Sequence, residues 1–148
     1  MEASKKAKHV VSISLGSSKR DAHAMLELGG QKISIERRGT DGDFDKARQL
    51  LERWDGKADA IGLGGTDLYV YAGKKRYTFR ESARLIANVH KTPVLDGSGL
   101  KNSLERKLIQ SLAAGSEVPI RGSKVLLVCA VDRFGMAEAL LEAGAQVI

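Results

Sequence analysis

Val10-Val-Ser-Ile-Ser-Leu-Gly-Ser-Ser18 is the stretch of sequence that decides the fold. Apolar and polar residues alternate as far as Leu15, which is typical of a strand, and the glycine and serines that follow indicate its end. Apolar residues then recur at helical spacing, at Ala22, Met25 and Leu26. The pattern predicts a first strand followed by a helix.

Strands and helices keep alternating along the next part of the chain. Ile33 and Ile35 alternate with polar neighbours as a second strand, and residues 58–63 form a third. Between these strands we expect a helix with Asp43 as its N-cap and Gly56 as its stop. Strands joined through helices pair in parallel with right-handed crossovers. The order therefore predicts a mostly parallel sheet with ligands at the carboxyl ends of its strands.

Further elements follow the third strand. Residues 68–79 have the composition of a small hairpin, which interrupts the alternation. Thr78 and Glu81 have capping-box spacing, which predicts a helix that begins there and runs through Val89. A longer helix is predicted at residues 100–114, where leucine recurs every four residues.

The last part of the chain indicates a second βαβ unit. The apolar run Lys124–Ala130 predicts a strand buried on both faces, and a helix is expected at about 134–143. The predicted fold class is α/β, with a three-layer sandwich around a mostly parallel sheet in residues 1–115. A linker at 116–122 and the start of a Rossmann-like unit at 123–148 follow. We expect the chain to be a piece of a longer polypeptide; the alternative is that its last unit joins the first sheet.

Composition limits the class of protein. The chain has 148 residues, of which 43% are hydrophobic and 28% charged, which is typical of a globular protein rather than a disordered or fibrous one. The single cysteine, Cys129, is expected in the core and allows no internal disulfide framework, which favours a reducing, cytoplasmic compartment. His9, His23 and His90 have no partners at metal-ligand spacing, so no metal site is predicted. No run is long enough to suggest a membrane span.

Positive charge is concentrated in one segment. The net charge is +6, and the residues from Lys74 to Lys91 include six basic side chains against one acid, Glu81. Such a segment attracts a small carboxylate substrate or nucleic acid, or it is simply a solvated face. Nucleic acid is the weaker interpretation, because only Tyr77 and Phe79 interleave with the charges and no nucleic-acid motif is present.

Three motifs in the second half of the chain follow one another in a familiar order. Asp96-Gly-Ser-Gly-Leu100 comes first, the apolar run after the linker comes second, and Gly135-Met-Ala-Glu-Ala-Leu140 comes third. The order and spacing resemble the middle of the shikimate/quinate dehydrogenase family (quinate 5-dehydrogenase-like proteins), over about residues 94–148. The resemblance implies an NAD(P)-dependent oxidoreductase that acts on a hydroxylated cyclic carboxylic acid.

The resemblance also assigns candidate site residues. Asp96 is the expected acid/base group, with Lys91 as a substitute for the family's catalytic lysine, because Gly62-Leu-Gly-Gly-Thr-Asp67 stands where that lysine is expected. The other interpretation of Asp96 is a turn residue that caps the next helix. The expected substrate-binding residues are Ser14, Ser17, Thr66, Asp67 and Lys101.

NAD or NADP is the cofactor that the resemblance implies. Asp132, Arg133 and Gly135 are the candidate cofactor-binding residues, and Gly135 is all that remains of the glycine-rich fingerprint that brings backbone close to a pyrophosphate. The alternative function is a non-catalytic sensor of the same fold that binds a small molecule or nucleotide. A small-molecule carboxylate is the expected partner, and a homo-oligomer is left open.

Overall fold

The structure is a computed structural model, and it describes residues 6–115 and 117–148. It has the mixed α/β composition that the sequence predicts, with a mostly parallel sheet of five strands. The first five residues of the predicted first domain and Ser116 of the predicted linker lie outside the described residues. Among the described residues, no helix has both the length and the apolar character needed to span a membrane.

The strands and helices of the described residues are numbered in chain order. The strands are β1 (Lys8–Ser14), β2 (Ala22–Leu28), β3 (Gln31–Gly39), β4 (Ala60–Gly64), β5 (Tyr69–Ala72), β6 (Lys75–Thr78), β7 (Val94–Leu95), β8 (Lys124–Val125) and β9 (Gln146–Val147). The helices are α1 (Phe44–Trp54), α2 (Arg80–Leu85), α3 (Ser98–Ala114) and α4 (Phe134–Glu142), with one 3₁₀ turn at Ser18–Arg20.

The chain divides into two compact units. The first unit comprises Met1–Leu68 and Phe79–Asp96, and the second comprises Tyr69–Thr78 and Gly97–Ile148. The β5–β6 hairpin therefore belongs with the residues that follow Asp96. Residues 117–122 of the predicted linker lie inside the second unit.

The five-stranded sheet forms the centre of the first unit. Its strand order is β2-β3-β1-β4-β7, and all neighbouring strands are parallel except β2 and β3. Val11 and Ile13 of β1 alternate with less buried residues and are fully excluded from solvent. Parallel pairing places the carboxyl ends of β3, β1, β4 and β7 at one edge of the sheet.

The predicted helix at Ala22–Leu26 is wrong, because these residues form β2. Ala22, Met25 and Leu26 fit helical spacing, but Gly29 and Gly30 both have positive φ, at 56° and 75°. Two such residues form the tight turn that joins antiparallel strands, and Leu28 accordingly pairs with Gln31. The glycine pair makes a hairpin rather than ending a helix.

Helix α1 covers the sheet as its sequence predicts. The Asp43 carboxylate accepts a hydrogen bond of 2.9 Å from the backbone N–H of Lys46, which is the geometry of an N-cap. Ala47 and Leu51 of this helix are fully buried, as is Ile61 of β4. The burial of these apolar residues stabilises the packing of α1 against the sheet.

The predicted capping box at Thr78 and Glu81 is also wrong. Helix α2 has Phe79 at its N-cap with no side-chain hydrogen bond, and it ends at Leu85 instead of running through Val89. Thr78 is the last residue of β6, so its backbone pairs with Tyr69 across the hairpin. Because strand pairing holds Thr78 in β6, Thr78 does not act as the N-cap of α2.

The second unit has its own small core. Ile109 of α3, Ala139 and Leu140 of α4, and the loop residues Ile120 and Ala145 form one buried cluster. The helix predicted at 100–114 is confirmed as α3, and the helix predicted at 134–143 is confirmed as α4. Strands β8 and β9 pair in parallel beside them.

The predicted buried strand at Lys124–Ala130 is wrong in length and in burial. Only Lys124 and Val125 form a strand, whereas Leu126 and Val128 are 71% and 70% exposed. Cys129 has a φ of 61° and begins a turn in which its carbonyl accepts from the backbone N–H of Asp132. Among the described residues β8 pairs with β9 alone, and a two-stranded sheet cannot cover both faces of an apolar run.

Candidate functional site

Loops at the carboxyl ends of the parallel strands form the candidate site of the first unit. Four short segments meet this edge, and we call them the carboxyl-edge loops: residues 15–17 after β1, 40–43 after β3, 65–68 after β4, and Asp96 after β7. Ligands of parallel α/β sheets bind at this edge, because loops from several strands converge there. Of the predicted site residues, Ser14, Ser17, Thr66, Asp67 and Asp96 lie on or beside these loops.

Backbone hydrogen bonds hold two of these loops together. Thr40 donates its N–H to the carbonyl of Ser14 at 2.9 Å, and Gly42 donates to Leu15 at 2.7 Å. Thr40 is almost completely buried at this contact. The loops after β1 and β3 therefore form one connected backbone surface.

Glycine permits the third loop to approach the first. Gly65 has a φ of +75°, and a Cβ at this position would lie 3.1 Å from the backbone nitrogen of Gly16. The adjacent Gly64 also lies close to β1, since its Cβ would be 3.0 Å from the Ser14 hydroxyl. A side chain at either position would crowd the loop after β1.

Asp41 ties the 3₁₀ turn to the loop after β3. Its Oδ1 accepts a hydrogen bond of 2.8 Å from the backbone N–H of Ser18. Hydrogen bonds from the side chain and the backbone of Ser18 hold the pKa of Asp41 below its usual value. This carboxylate stays ionised at neutral pH and orders the loop.

Two guanidinium groups converge at Gly16. A Cβ built on Gly16 would lie 2.6 Å from an Nη2 atom of Arg20, 3.2 Å from Nη2 of Arg37 and 3.2 Å from the Ser14 hydroxyl. Nη1 of Arg37 donates instead to the carbonyl of Ser17 at 2.9 Å and to Asp21 at 3.0 Å. Two cations therefore lie against Gly16 beside a hydroxyl. Asp21 already pairs with Arg37, and a further anion would stabilise the two guanidinium groups together.

A groove of about 370 Å³ runs beside this edge of the first unit. It reaches the carboxyl edge at Ser18 and Gly39 and extends along α1 to Trp54. Its charged lining residues are Asp21, Glu36, Arg38, Lys46 and Arg53, so cations outnumber anions. The groove has the volume of a small-molecule site and a lining with one cation in excess, and Arg20 and Arg37 are not among its lining residues.

Asp96 and Thr66 order the loop after β4. Oδ2 of Asp96 accepts a hydrogen bond of 2.5 Å from the backbone N–H of Leu68. The Thr66 hydroxyl lies 2.6 Å from the hydroxyl of Ser82, which is buried. Asp67, between these two contacts, is half-buried. Short contacts therefore hold Asp96 and Thr66 at this edge, and Asp67 follows Thr66 in the same loop.

Lys91 lies at the other edge of the sheet. It precedes β7, whereas Asp96 follows that strand. Its backbone N–H donates to Asp55 at 2.8 Å, and its side chain packs on Gly56 beyond the end of α1. The structure does not bring Lys91 and Asp96 together.

The remaining predicted residues belong to the second unit, where they join α3 to the turn before α4. Lys101 forms an ion pair of 2.6 Å with Asp132, and Arg133 pairs with Glu105. The Glu105 carboxylate raises the pKa of Arg133 above its usual value, chiefly through its hydrogen bond. All four of these charged side chains therefore form ion pairs within the second unit.

Gly135 allows α4 to pack closely against α3 and does not lie in an open turn. It is buried, and a Cβ at this position would lie 2.9 Å from the side-chain oxygen of Asn102 and 3.4 Å from the Asn102 Cα. The backbone of Gly135 therefore faces α3. A phosphate needs an accessible glycine backbone, so this environment does not match a pyrophosphate loop.

Metal binding finds no support in the part of the chain that the structure describes. No group of three or more histidine, cysteine, aspartate or glutamate side chains there could hold a metal ion. His23 instead has its Nε2 2.8 Å from the hydroxyl of Ser34, and His9 packs edge-on against Trp54. Cys129, expected in the core, is exposed.

Sequence reasoning missed Arg20 and Arg37. Arg37 continues the period of two set by Ile33 and Ile35, so it is a charged residue in line with apolar positions of one strand. That interruption is the signal that could have identified it. Arg20 lies in the Ser18–Arg20 turn, and its approach to Gly16 depends on a fold that spacing does not reveal.

Two family models match the chain. The model described as Domain of unknown function (DUF8753) matches residues 9–96, and the model described as Domain of unknown function (DUF8754) matches residues 99–148. No curated protein matches the chain. The first match spans more than half of the 148 residues and contains all the carboxyl-edge loops. The chain belongs to the family described as Domain of unknown function (DUF8753).

Proposed function

We propose that this chain carries the substrate-binding part of a quinate/shikimate dehydrogenase-like oxidoreductase, and that its first unit binds a hydroxylated cyclic carboxylic acid. The observation that carries the proposal is the convergence of Arg20 and Arg37 on Gly16, beside the Ser14 hydroxyl. Guanidinium groups pair with carboxylates through charge-assisted hydrogen bonds, which are the strong ones. The ligand carboxylate would lie between these two side chains.

The other carboxyl-edge groups suit the hydroxyls of such a ligand. Ser17, Thr66 and Asp67 supply hydroxyl and carboxylate groups within the same loops. Hydroxyls both donate and accept hydrogen bonds, so a polyol ring can share hydrogen bonds with these groups, whereas an apolar ring cannot. In this proposal the three residues select a hydroxylated ring.

Asp96 is the proposed acid/base group. It follows β7, and its contact with the Leu68 N–H fixes the orientation of the carboxylate. An oriented carboxylate can exchange a proton with a substrate hydroxyl while the carbon that bears this hydroxyl loses or gains a hydride. The proposal gives Lys91 no part in this step, because it lies before β7.

NAD or NADP, when bound, would accept the hydride from the substrate carbon. The second-unit residues that the resemblance assigns to it do not fit a dinucleotide, since Asp132 and Arg133 are in ion pairs and Gly135 faces α3. No step is therefore assigned to these residues. The proposal also includes a three-layer sandwich in residues 1–115 and a Rossmann-like unit in residues 123–148.

A sensor that binds the same ligand without turnover is the second candidate. The observation that favours it is that Lys101–Asp132 and Arg133–Glu105 ion pairs occupy the residues expected to hold the cofactor. Such a protein would use the carboxyl-edge loops for binding alone. The two candidates share the ligand and differ only in chemistry.

Calorimetric titration with quinate and shikimate, followed by nicotinamide absorbance with NAD or NADP, separates the candidates. A cyclic polyol without a carboxylate, such as inositol, is the matched control ligand. Binding of the acids with turnover supports the dehydrogenase, and binding without turnover supports the sensor. Absence of binding, or equal binding of inositol, would overturn both.

A further inference from the structure

Strand β2 presents an open edge of the five-stranded sheet. It is the outermost strand on its side, and none of the described residues pairs with its outer edge. All seven residues are exposed, including Met25 at 58% and Leu28 at 69%. A long edge strand of this kind offers a row of backbone donors and acceptors to another strand.

Most of the usual protections of an edge strand are missing from β2, in which Glu27 is the one acidic or basic side chain apart from His23. The sequence Ala22-His-Ala-Met-Leu-Glu-Leu28 contains no proline and no lysine, which are the residues that discourage edge pairing. Its pairing with β3 is continuous from Ala22 to Leu28, so no bulge turns the edge away. The edge is regular over its whole length.

Symmetry restricts how two copies of β2 could pair. A two-fold axis that relates two antiparallel edge strands stands perpendicular to the sheet, so each residue faces one on the same side of the sheet. An axis through Met25 satisfies this condition and pairs all seven residues. His23 then lies opposite Glu27 of the second copy, and Ala24 lies opposite Leu26.

This register is complementary in hydrogen-bonding groups and in size. The two His23–Glu27 pairs flank the central Met25 pair on one face. On the other face, each alanine lies opposite a leucine, since Ala22 faces Leu28 as Ala24 faces Leu26. An imidazole can hydrogen-bond a carboxylate across the strands, and polar and apolar cross-strand pairs of this kind stabilise antiparallel strands.

We propose that β2 binds the β2 strand of a second copy of this chain, antiparallel and centred on Met25, to form a two-fold dimer with a continuous sheet. The hydrogen bond of 2.8 Å between Nε2 of His23 and the Ser34 hydroxyl holds the imidazole ring on the face that carries Glu27. The dimer rests on the edge strand alone. It does not depend on the proposed ligand.

Sedimentation velocity over a concentration series tests the dimer. The unmodified chain should form dimers, and Glu27→Lys should raise the dissociation constant about tenfold or more, because it replaces two favourable cross-strand pairs. Glu117→Lys, the same charge change at an exposed position of the second unit, should have no such effect. The double variant His23→Glu with Glu27→Lys should restore dimers, since the register pairs these two positions.

Two results would overturn the proposal. One is a chain that remains monomeric throughout the series. The other is a dimer that neither Glu27→Lys nor Met25→Lys weakens, because Met25→Lys places two like charges at the two-fold axis. Circular dichroism of each variant confirms that the exposed substitutions leave the fold intact.

Discussion

The two units use charged side chains in different ways. In the first unit, Arg20 and Arg37 converge on Gly16 at the end of parallel strands. In the second unit, cations meet carboxylates across α3 and α4, as Arg106 does with Glu138 at 2.7 Å and Glu142 at 2.6 Å. Ion pairs thus link two helices in the second unit. The first unit also has ion pairs, such as Arg37 with Asp21, but in addition two of its guanidinium groups lie together at one loop.

The difference indicates where a ligand is to be sought. Ion pairs within a unit compensate their own charges, and partly exposed pairs contribute modestly to stability. Two guanidinium groups beside each other repel, so the arrangement costs stability unless an anion or a carboxylate compensates them. Asp21 compensates Arg37 in part, through the ion pair of 3.0 Å. We therefore place the proposed anion site in the first unit.

The largest expected effect is on turnover. Asp96→Asn should lower the rate of the proposed dehydrogenase by about 10²–10⁴, the usual contribution of an acid/base group. Asparagine can still accept the hydrogen bond from the Leu68 N–H, so the melting temperature should change little. Asp132→Asn in the second unit is the control and should leave the rate unchanged. Intact turnover in Asp96→Asn, with a large loss of stability, would make Asp96 a turn residue.

Crowding the carboxyl-edge loops should destabilise the first unit. In Gly39→Ala, the new Cβ would lie 2.6 Å from the carbonyl atoms of Ser17 and from the nitrogen of Ser18. Such overpacking costs roughly 1–3 kcal/mol or more, and the displaced loop should also lose its ligand. Urea unfolding measures the first effect and calorimetry the second.

Gly99→Ala is the matched control for that substitution. A Cβ on Gly99 would meet only the Tyr69 hydroxyl, at 3.9 Å, and alanine favours the α3 helix by about 1 kcal/mol. This variant should unfold at equal or slightly higher urea. Equal stability of Gly39→Ala and the unmodified chain would contradict the loop packing described above.

Removing one guanidinium group should weaken carboxylate binding. Arg20→Ala is expected to raise the dissociation constant for quinate or shikimate about tenfold or more, which is the worth of one charge-assisted hydrogen bond. Lys19→Ala removes the same charge from the adjacent exposed residue and should change binding by much less. Similar losses in the two variants would mean that general charge attraction, rather than a site at Gly16, holds the ligand.

Much of the first unit was predictable because its signals are local. Alternation in β1, the Asp43 cap and the glycines after strands predict a mostly parallel sheet and the edge at which its strands end. The hairpin at Gly29 and Gly30 was not predicted, because the residues before it also satisfy helical spacing. Pairing with β3 decides between the two, and pairing is not a local property.

Most of the second unit's predicted chemistry depended on contacts that spacing does not encode. Gly135 has the residue type of a phosphate loop but packs against Asn102, and Asp132 pairs with a lysine 31 positions away. In the first unit, the same limitation concealed Arg20. In both units the sequence shows which charged residues are present, but it does not show which side chain each of them contacts.

A crowding substitution in the second unit should separate stability from binding. In Gly135→Ala, the Cβ would lie 2.9 Å from the flexible end of Asn102, so we expect a loss of about 1 kcal/mol in stability. Carboxylate binding by the first unit should remain as it is. Loss of binding in this variant would show that the second unit contributes to the ligand site.

The smallest expected effect is on pH dependence. Asp55 accepts backbone hydrogen bonds from His90, Lys91 and Thr92, and the bond from His90 is the chief cause of its lowered pKa. A lowered pKa in the folded state stabilises the protein above the ordinary value near 3.8, and this stabilisation is lost as the pH falls below it. Melting temperatures between about pH 5 and pH 2.5 should therefore fall less steeply for Asp55→Asn. An unchanged slope would contradict this role.

Nuclear magnetic resonance titration of the ¹⁵N-labelled chain with shikimate tests the central claim most directly, because it locates the ligand. The account predicts that the amide signals of the carboxyl-edge loops move, foremost those of Gly16, Ser17 and Gly65. Signals of the second unit, such as those of Lys101 and Gly135, should stay in place. Movement confined to the second unit, or no movement at saturating shikimate, would contradict the assignment of the ligand to the first unit.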